Sequence, residues 1–202
     1  MSNQSSSEMK LPDDLRKLHA AAHLASKRFG YAPDCVFDFC GLLLELPPVT
    51  NWCDYWCTPS NVVTFAHTGG DSVHYSYLRD ASFAEGVCPI VMTMPAASGI
   101  NVVLAESFNE FFSLGYYVGW FSLEQLVYQP EWAEKYFSAP NPDFSELSAD
   151  TLDFLRQSLQ IQAAPPRLER LRELHEKYHG LLLMILRPPR STRCLYSPLL
   201  VS

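Results

Sequence analysis

The sequence predicts an α+β domain, a central and mostly antiparallel sheet flanked by helices at both ends of the chain. Between Asn61 and Ala105, short runs of β-branched and aromatic residues are separated by Gly, Pro, Ser and Asp, as strands and their turns are. From Ser107 onward the period becomes helical, with Phe108, Phe111, Phe112 and Leu114 on one face. Amphipathic patterns before Gly30 and beyond Ser122 place further helices on either side of the sheet.

Residues 1–10 are Ser-rich and polar, and read as a disordered tail that is neither signal peptide nor anchor. Residues 11–202 read as one domain with a helical C-terminal half. Leu11–Phe29 is a packing helix: Leu15, Leu18, Ala22 and Ala25 share a stripe, Asp13 and Asp14 sit at the positive end of the dipole, and Gly30 closes it. Val36–Leu46 is either a strand pair broken at Gly41 or a buried helix, and Pro47-Pro48 ends it. Asn61–His67 and Ser72–Leu78 form a hairpin bent at Thr68–Asp71. Val73, Tyr75 and Tyr77 alternate there with Ser72, His74 and Ser76, which predicts one buried face. His67 and His74 flank the bend and could face each other. Pro89–Met94 and Asn101–Ala105 complete the sheet.

Ser107 and Glu110 make a capping box, in which a hydroxyl and a carboxylate each satisfy a free backbone N–H. Tyr116–Trp120 is a linker or short strand. Ser122–Gln125 is a second capping box, leading a short helix stopped by Pro130. Helices follow at Glu131–Phe137, Ser148–Gln162 and Arg167–His179, with a loop at Ala139–Asp143. Leu181–Leu186 would add an edge strand or cover the core, and Arg187, Arg190 and Arg193 would be a solvated tail. Val63, Phe65, Ile90, Val102, Phe108 and Phe111 are the expected core.

The order Asn61-Val-Val-Thr-Phe-Ala-His-Thr-Gly-Gly-Asp71, a strand, Pro89-Ile-Val-Met92, then Ala105-Glu-Ser-Phe-Asn-Glu-Phe-Phe-Ser-Leu-Gly115 resembles the SMI1/KNR4 family, also called the SUKH superfamily. The resemblance covers about a quarter of the chain and rests on apolar runs, a glycine turn and a capped helix. It implies an α+β fold, no enzyme activity, and a role in binding other proteins. Bacterial members of this kind are immunity proteins that neutralise a partner toxin, and fungal relatives are regulatory scaffolds.

Charge agrees with a protein partner. The chain has 15 Lys and Arg against 22 Asp and Glu, a net charge of −7, and no basic arm, which argues against nucleic acid. An acidic surface suits a basic partner such as a toxin domain. No apolar run is long enough to span a membrane, so the expected location is the cytoplasm. The aromatics Trp52, Tyr55 and Trp56 read first as filling beneath the sheet and second as an interface hot spot. With Asp54 and the turn residue Asp71 they are the candidate binding residues.

Catalytic and metal readings are weaker. Gly69-Gly70-Asp71 lacks the Lys and helix start of a phosphate loop. Cys35, Cys40, Cys53, Cys57, Cys88 and Cys194 read as reduced, buried packing thiols, since Cys35-x4-Cys40 and Cys53-x3-Cys57 are not zinc knuckles. His19 and His23 share a helix side without a third ligand, so no metal or other cofactor is expected. The rival is His175-Glu176-x-x-His179, the H-E-x-x-H of zinc hydrolases, in which both histidines bind zinc and the glutamate activates water. The 23 residues after His179 contain no His, Asp or Glu, so a third ligand would have to come from upstream.

Overall fold

The expected sheet forms, and it gains a fifth strand. A computed structural model describes residues 11–138 and 146–184. The expected N-terminal tail, the loop at Ala139–Asp143, the end of the last strand, the three arginines after it and Cys194 lie outside the described residues. Helix α1 (Asp13–Phe29) leads into β1 (Leu43–Val49), β2 (Val62–His67), β3 (His74–Leu78), β4 (Ile90–Met94) and β5 (Ile100–Ala105). Helices α2 (Phe108–Val118), α3 (Gln125–Tyr128), α4 (Pro130–Tyr136), α5 (Glu146–Leu159) and α6 (Leu168–Tyr178) follow. The strands pair in chain order, every neighbour antiparallel. The fold is therefore α+β with helices at both ends.

Only the second half of the Val36–Leu46 run is a strand. Its first half turns through a 3-10 segment at Asp38–Cys40 and a left-handed Gly41. Pro47-Pro48 does not end the strand. Both prolines lie inside β1, which tolerates them because it is an edge strand whose register with β2 shifts between Leu44 and Val49.

The predicted alternation in β3 holds, yet both faces are buried. On one face Val63, Phe65, Tyr75, Tyr77 and Met92 pack against α1 and α2 in the main core. On the other, Val62, Leu78, Val91 and Val103 meet Leu174 and Tyr178 of α6. Thr64 and Ser76 share that second face and satisfy each other at 2.8 Å. The remaining expected core residues are buried except Val102, which is half-buried at the sheet margin.

Ser107 caps α2 as predicted, its Oγ accepting from the Glu110 N–H at 3.2 Å, and the Glu110 carboxylate accepts from the Glu106 N–H at 2.7 Å. Tyr116–Val118 is neither linker nor strand, because α2 runs on to Val118. The second capping box does not cap. Ser122 lies inside a 3-10 turn at Phe121–Glu124, and Pro130 begins α4 at the position where its missing N–H costs nothing. Leu181–Met184 form no strand; Leu181 and Leu182 instead cover the second core, the other of the two expectations. Asn61 clasps that segment, donating to Leu181 O at 2.9 Å and accepting from the Leu183 N–H at 3.0 Å. Glu106, just after β5, accepts from Lys177 and Tyr178, and from Arg170 at 3.1 Å, which ties α6 to the sheet.

Candidate functional site: the tip of the β2–β3 hairpin

The hairpin tip is shaped by its turn. Val73 N–H donates to Gly70 O at 3.1 Å across Asp71 and Ser72, whose φ of 45° and 60° are the signature of a type I′ turn. Asp71 tolerates this left-handed geometry and projects its carboxylate at the exposed end. The turn also sets the register, so that His67 and His74 are direct cross-strand partners, as the sequence suggests they could be.

Trp52 covers that histidine pair. Its indole lies 5.0 Å from the His67 ring and 4.9 Å from the His74 ring, and Tyr55 stacks on His74 at 5.8 Å. Trp52 Nε1 donates to Glu45 and the Tyr55 hydroxyl to Ser72. The covering loop is backbone-strained, since Asn51, Cys53 and Asp54 hold φ of 56°, 50° and 52°. Trp52 and Tyr55 are half-buried and Trp56 is 61% exposed, so the aromatics are not the core filling that the sequence predicts. They lie on the outer side of the hairpin because the left-handed loop carries them there.

His74 is wholly buried. Its Nδ1 lies 2.9 Å from Ser72 O, which can only accept, so Nδ1 carries the proton and Nε2 accepts from Thr58 Oγ1 at 3.0 Å. Burial lowers its pKa to about 4, so the ring is neutral. His67 has the opposite tautomer. Its Nδ1 accepts from the Gly69 N–H at 3.2 Å, leaving Nε2–H toward Glu45 Oε1 at 3.6 Å. Burial also lowers the His67 pKa, with Glu45 and Asp38 opposing.

Beyond the turn the surface stays acidic and aromatic. Phe121 is 51% exposed and Tyr128 41%. Glu124 is buried beside them, its pKa raised by desolvation and then by the charge of Asp71. Residues 30–78 contain no Lys or Arg, whereas Asp34, Asp38, Glu45, Asp54 and Asp71 all fall within them.

No family model, curated protein or solved structure matches the chain. The surface itself is what speaks to function.

Of the candidate binding residues, Trp52 and Tyr55 lie together over the hairpin, Tyr55 bonding Ser72 beside the exposed turn residue Asp71, and Asp54 is exposed on the same loop as Trp52. Trp56 points elsewhere, its ring against Gly99 in the turn before β5. Glu45, Phe121 and Glu124 are not among the residues the sequence singles out, although the absence of Lys and Arg around the hairpin is a sequence signal that reaches Glu45. Cys40 and Cys57 are buried thiols, but Cys35 and Cys53 are exposed, because the turns that carry them face solvent. His19 is half-buried on α1 rather than at its surface, and burial lowers its pKa. His175 and His179 are exposed on α6 with ring centroids 4.3 Å apart. Among the described residues no group of His, Cys, Asp and Glu is arranged to hold a metal ion, and no helix is long and apolar enough to cross a membrane.

Proposed function

We propose that the chain is a non-enzymatic protein-binding module acting in the cytoplasm, which recognises a basic partner through the hairpin tip. The observation that carries this reading is the coincidence, around one turn, of Asp71, Glu45 and Asp38 with the partly exposed rings of Trp52 and Tyr55, all in a stretch free of Lys and Arg, and of the exposed Phe121 nearby. Large rings that are partly exposed supply contact area at low entropic cost, and a one-signed field steers an oppositely charged partner. The resemblance to the SUKH superfamily favours an immunity protein whose acidic face masks a basic toxin domain.

The test is capture of partners from source cells by the wild-type chain and by Asp71→Lys, followed by affinity measurement on the purified pair. A basic toxin domain held by the wild type and lost by Asp71→Lys supports immunity, and a signalling or cell-wall partner lost in the same way assigns a scaffold instead. A partner equally held by both variants, or zinc-dependent peptide cleavage abolished by His175→Ala, overturns the proposal.

A further inference from the structure

We infer that the groove beside the hairpin tip receives an arginine side chain of the partner protein, an assignment that rests on the binding reading above. The groove encloses about 670 Å³. Four glycines, Gly41, Gly69, Gly70 and Gly119, line it together with Asp38 and Phe121. Gly41 is indispensable to that shape: at φ 77°, a Cβ there would fall 2.4 Å from the Phe121 N. Gly70 meets the ring of that residue, its missing Cβ 3.2 Å from Phe121 Cε2, so Phe121 has its backbone against Gly41 and its ring edge against Gly70 while the residue stays 51% exposed.

The lining selects the occupant. It has one charged side chain, the exposed carboxylate of Asp38, and no Lys, Arg or His. Asp71, the residue after the lining Gly70, adds to the negative field. An anionic group is repelled, and an apolar one would cover Asp38 without pairing it. A guanidinium meets every demand, since it is planar, stacks on aromatic faces and offers a two-pronged donor to a carboxylate. An ammonium carries the same charge, but it holds its water more tightly and has no flat face to lay against Phe121.

The probe is the blocked tripeptide acetyl-Gly-Arg-Gly-amide, titrated into the isotope-labelled full chain and followed by amide NMR, with the Lys tripeptide as comparison. Shifts should concentrate at Gly41, Gly69, Gly70 and Gly119. Asp38→Asn and Phe121→Ala should each weaken binding by about three- to tenfold, the range expected when one exposed charge or one ring contact is lost. The Lys tripeptide should bind more weakly than the Arg one, and Glu176→Gln on α6 should change nothing. Absence of shifts at the four glycines, shifts scattered over the acidic surface, or equal binding of Arg and Lys overturns the assignment. A captured partner that releases Asp71→Lys but holds Asp38→Asn and Phe121→Ala sinks the groove and leaves the binding module standing. Seating of the tripeptide at the four glycines without any captured partner leaves an arginine-binding groove but overturns both the binding reading and the partner protein as the source of the arginine.

Discussion

Gly115 and Trp120 interlock at the end of α2: a Cβ on Gly115 would stand 2.0 Å from Cε2 of the fully buried Trp120 indole. The ring occupies the space that any other residue would claim. This is how a glycine comes to sit inside a helix, where it is intrinsically unfavourable by about 1 kcal/mol relative to alanine.

Gly115→Ala should therefore destabilise the protein despite improving helix propensity. Overpacking of a full core costs roughly 1–3 kcal/mol, and here the added atom meets a ring with no free side to move to. The net loss should be about 1–2 kcal/mol. Urea unfolding should show a lower midpoint with an unchanged slope. A midpoint equal to or above that of the wild type would mean that Trp120 can leave its pocket cheaply.

His74 should make the fold acid-sensitive. Its pKa is about 4 in the folded protein against 6.5 ordinarily, so between these values the unfolded chain binds the proton that the folded chain refuses. Stability is then fully present above pH 6.5 and falls as the pH drops toward 4. The loss is roughly 3 kcal/mol at about 1.4 kcal/mol per pKa unit. His67 shifts in the same direction and adds to it. Unfolding measured across that window should flatten in His74→Gln, which cannot titrate, and an unchanged pH slope in that variant would exclude His74 as the cause.

Much of this arrangement is legible in the sequence, and the reasons for the rest are physical. The alternation of Val73, Tyr75 and Tyr77 predicts β3, and the Ser107–Glu110 spacing predicts the start of α2, because both signals are local. Strand β1 is legible only in part: Val36–Leu46 offers a strand pair as one of two readings, but its run through Pro47 and Pro48 is not foreseen, since the edge position that excuses them is a property of the assembled sheet. Trp52 reads as core because large aromatics are commonly buried, and nothing in Asn51-Trp52-Cys53-Asp54 announces three left-handed residues. The His67–His74 pair is visible as a possibility but needs the Asp71–Ser72 turn to set its register. The contact of Glu106 with Lys177 spans 71 positions, beyond any local pattern.

Glu106 should govern the docking of α6. Hydrogen bonds from Lys177, Tyr178 and Arg170 outweigh its partial burial and hold its pKa at about 2, below the usual 4.5. This stability is present above pH 4.5 and is lost as the pH falls toward 2, a window distinct from that of His74. Because Lys177 is largely exposed, solvent screens part of the interaction, and Glu106→Gln should cost about 1–2 kcal/mol. Faster hydrogen exchange along Leu168–Tyr178, with the β2–β3 amides unaffected, would identify the loss as local undocking. Uniform loss of protection across the sheet would show that α6 is not a separable unit.

Trp52→Ala should uncouple the histidines from their cover. The dominant cause of the lowered pKa at both His67 and His74 is burial, and the indole stacked on His67 and tilted over His74 supplies part of it. Removing that indole admits water, which favours the charged form, so both values should move up toward 6.5, with Glu45 opposite His67 favouring its charged form as well. Glu45 also loses its Trp52 donor, which leaves its carboxylate freer to pair with a protonated His67. The acid sensitivity of folding should shrink accordingly, since the gap between folded and unfolded pKa narrows. Titration of the two imidazoles by NMR, in the wild type and in Trp52→Ala, measures this directly. Unmoved pKa values would mean that Thr58, Ser72 and the sheet alone keep the rings dry, and that Trp52 is held over them for contact with a partner only.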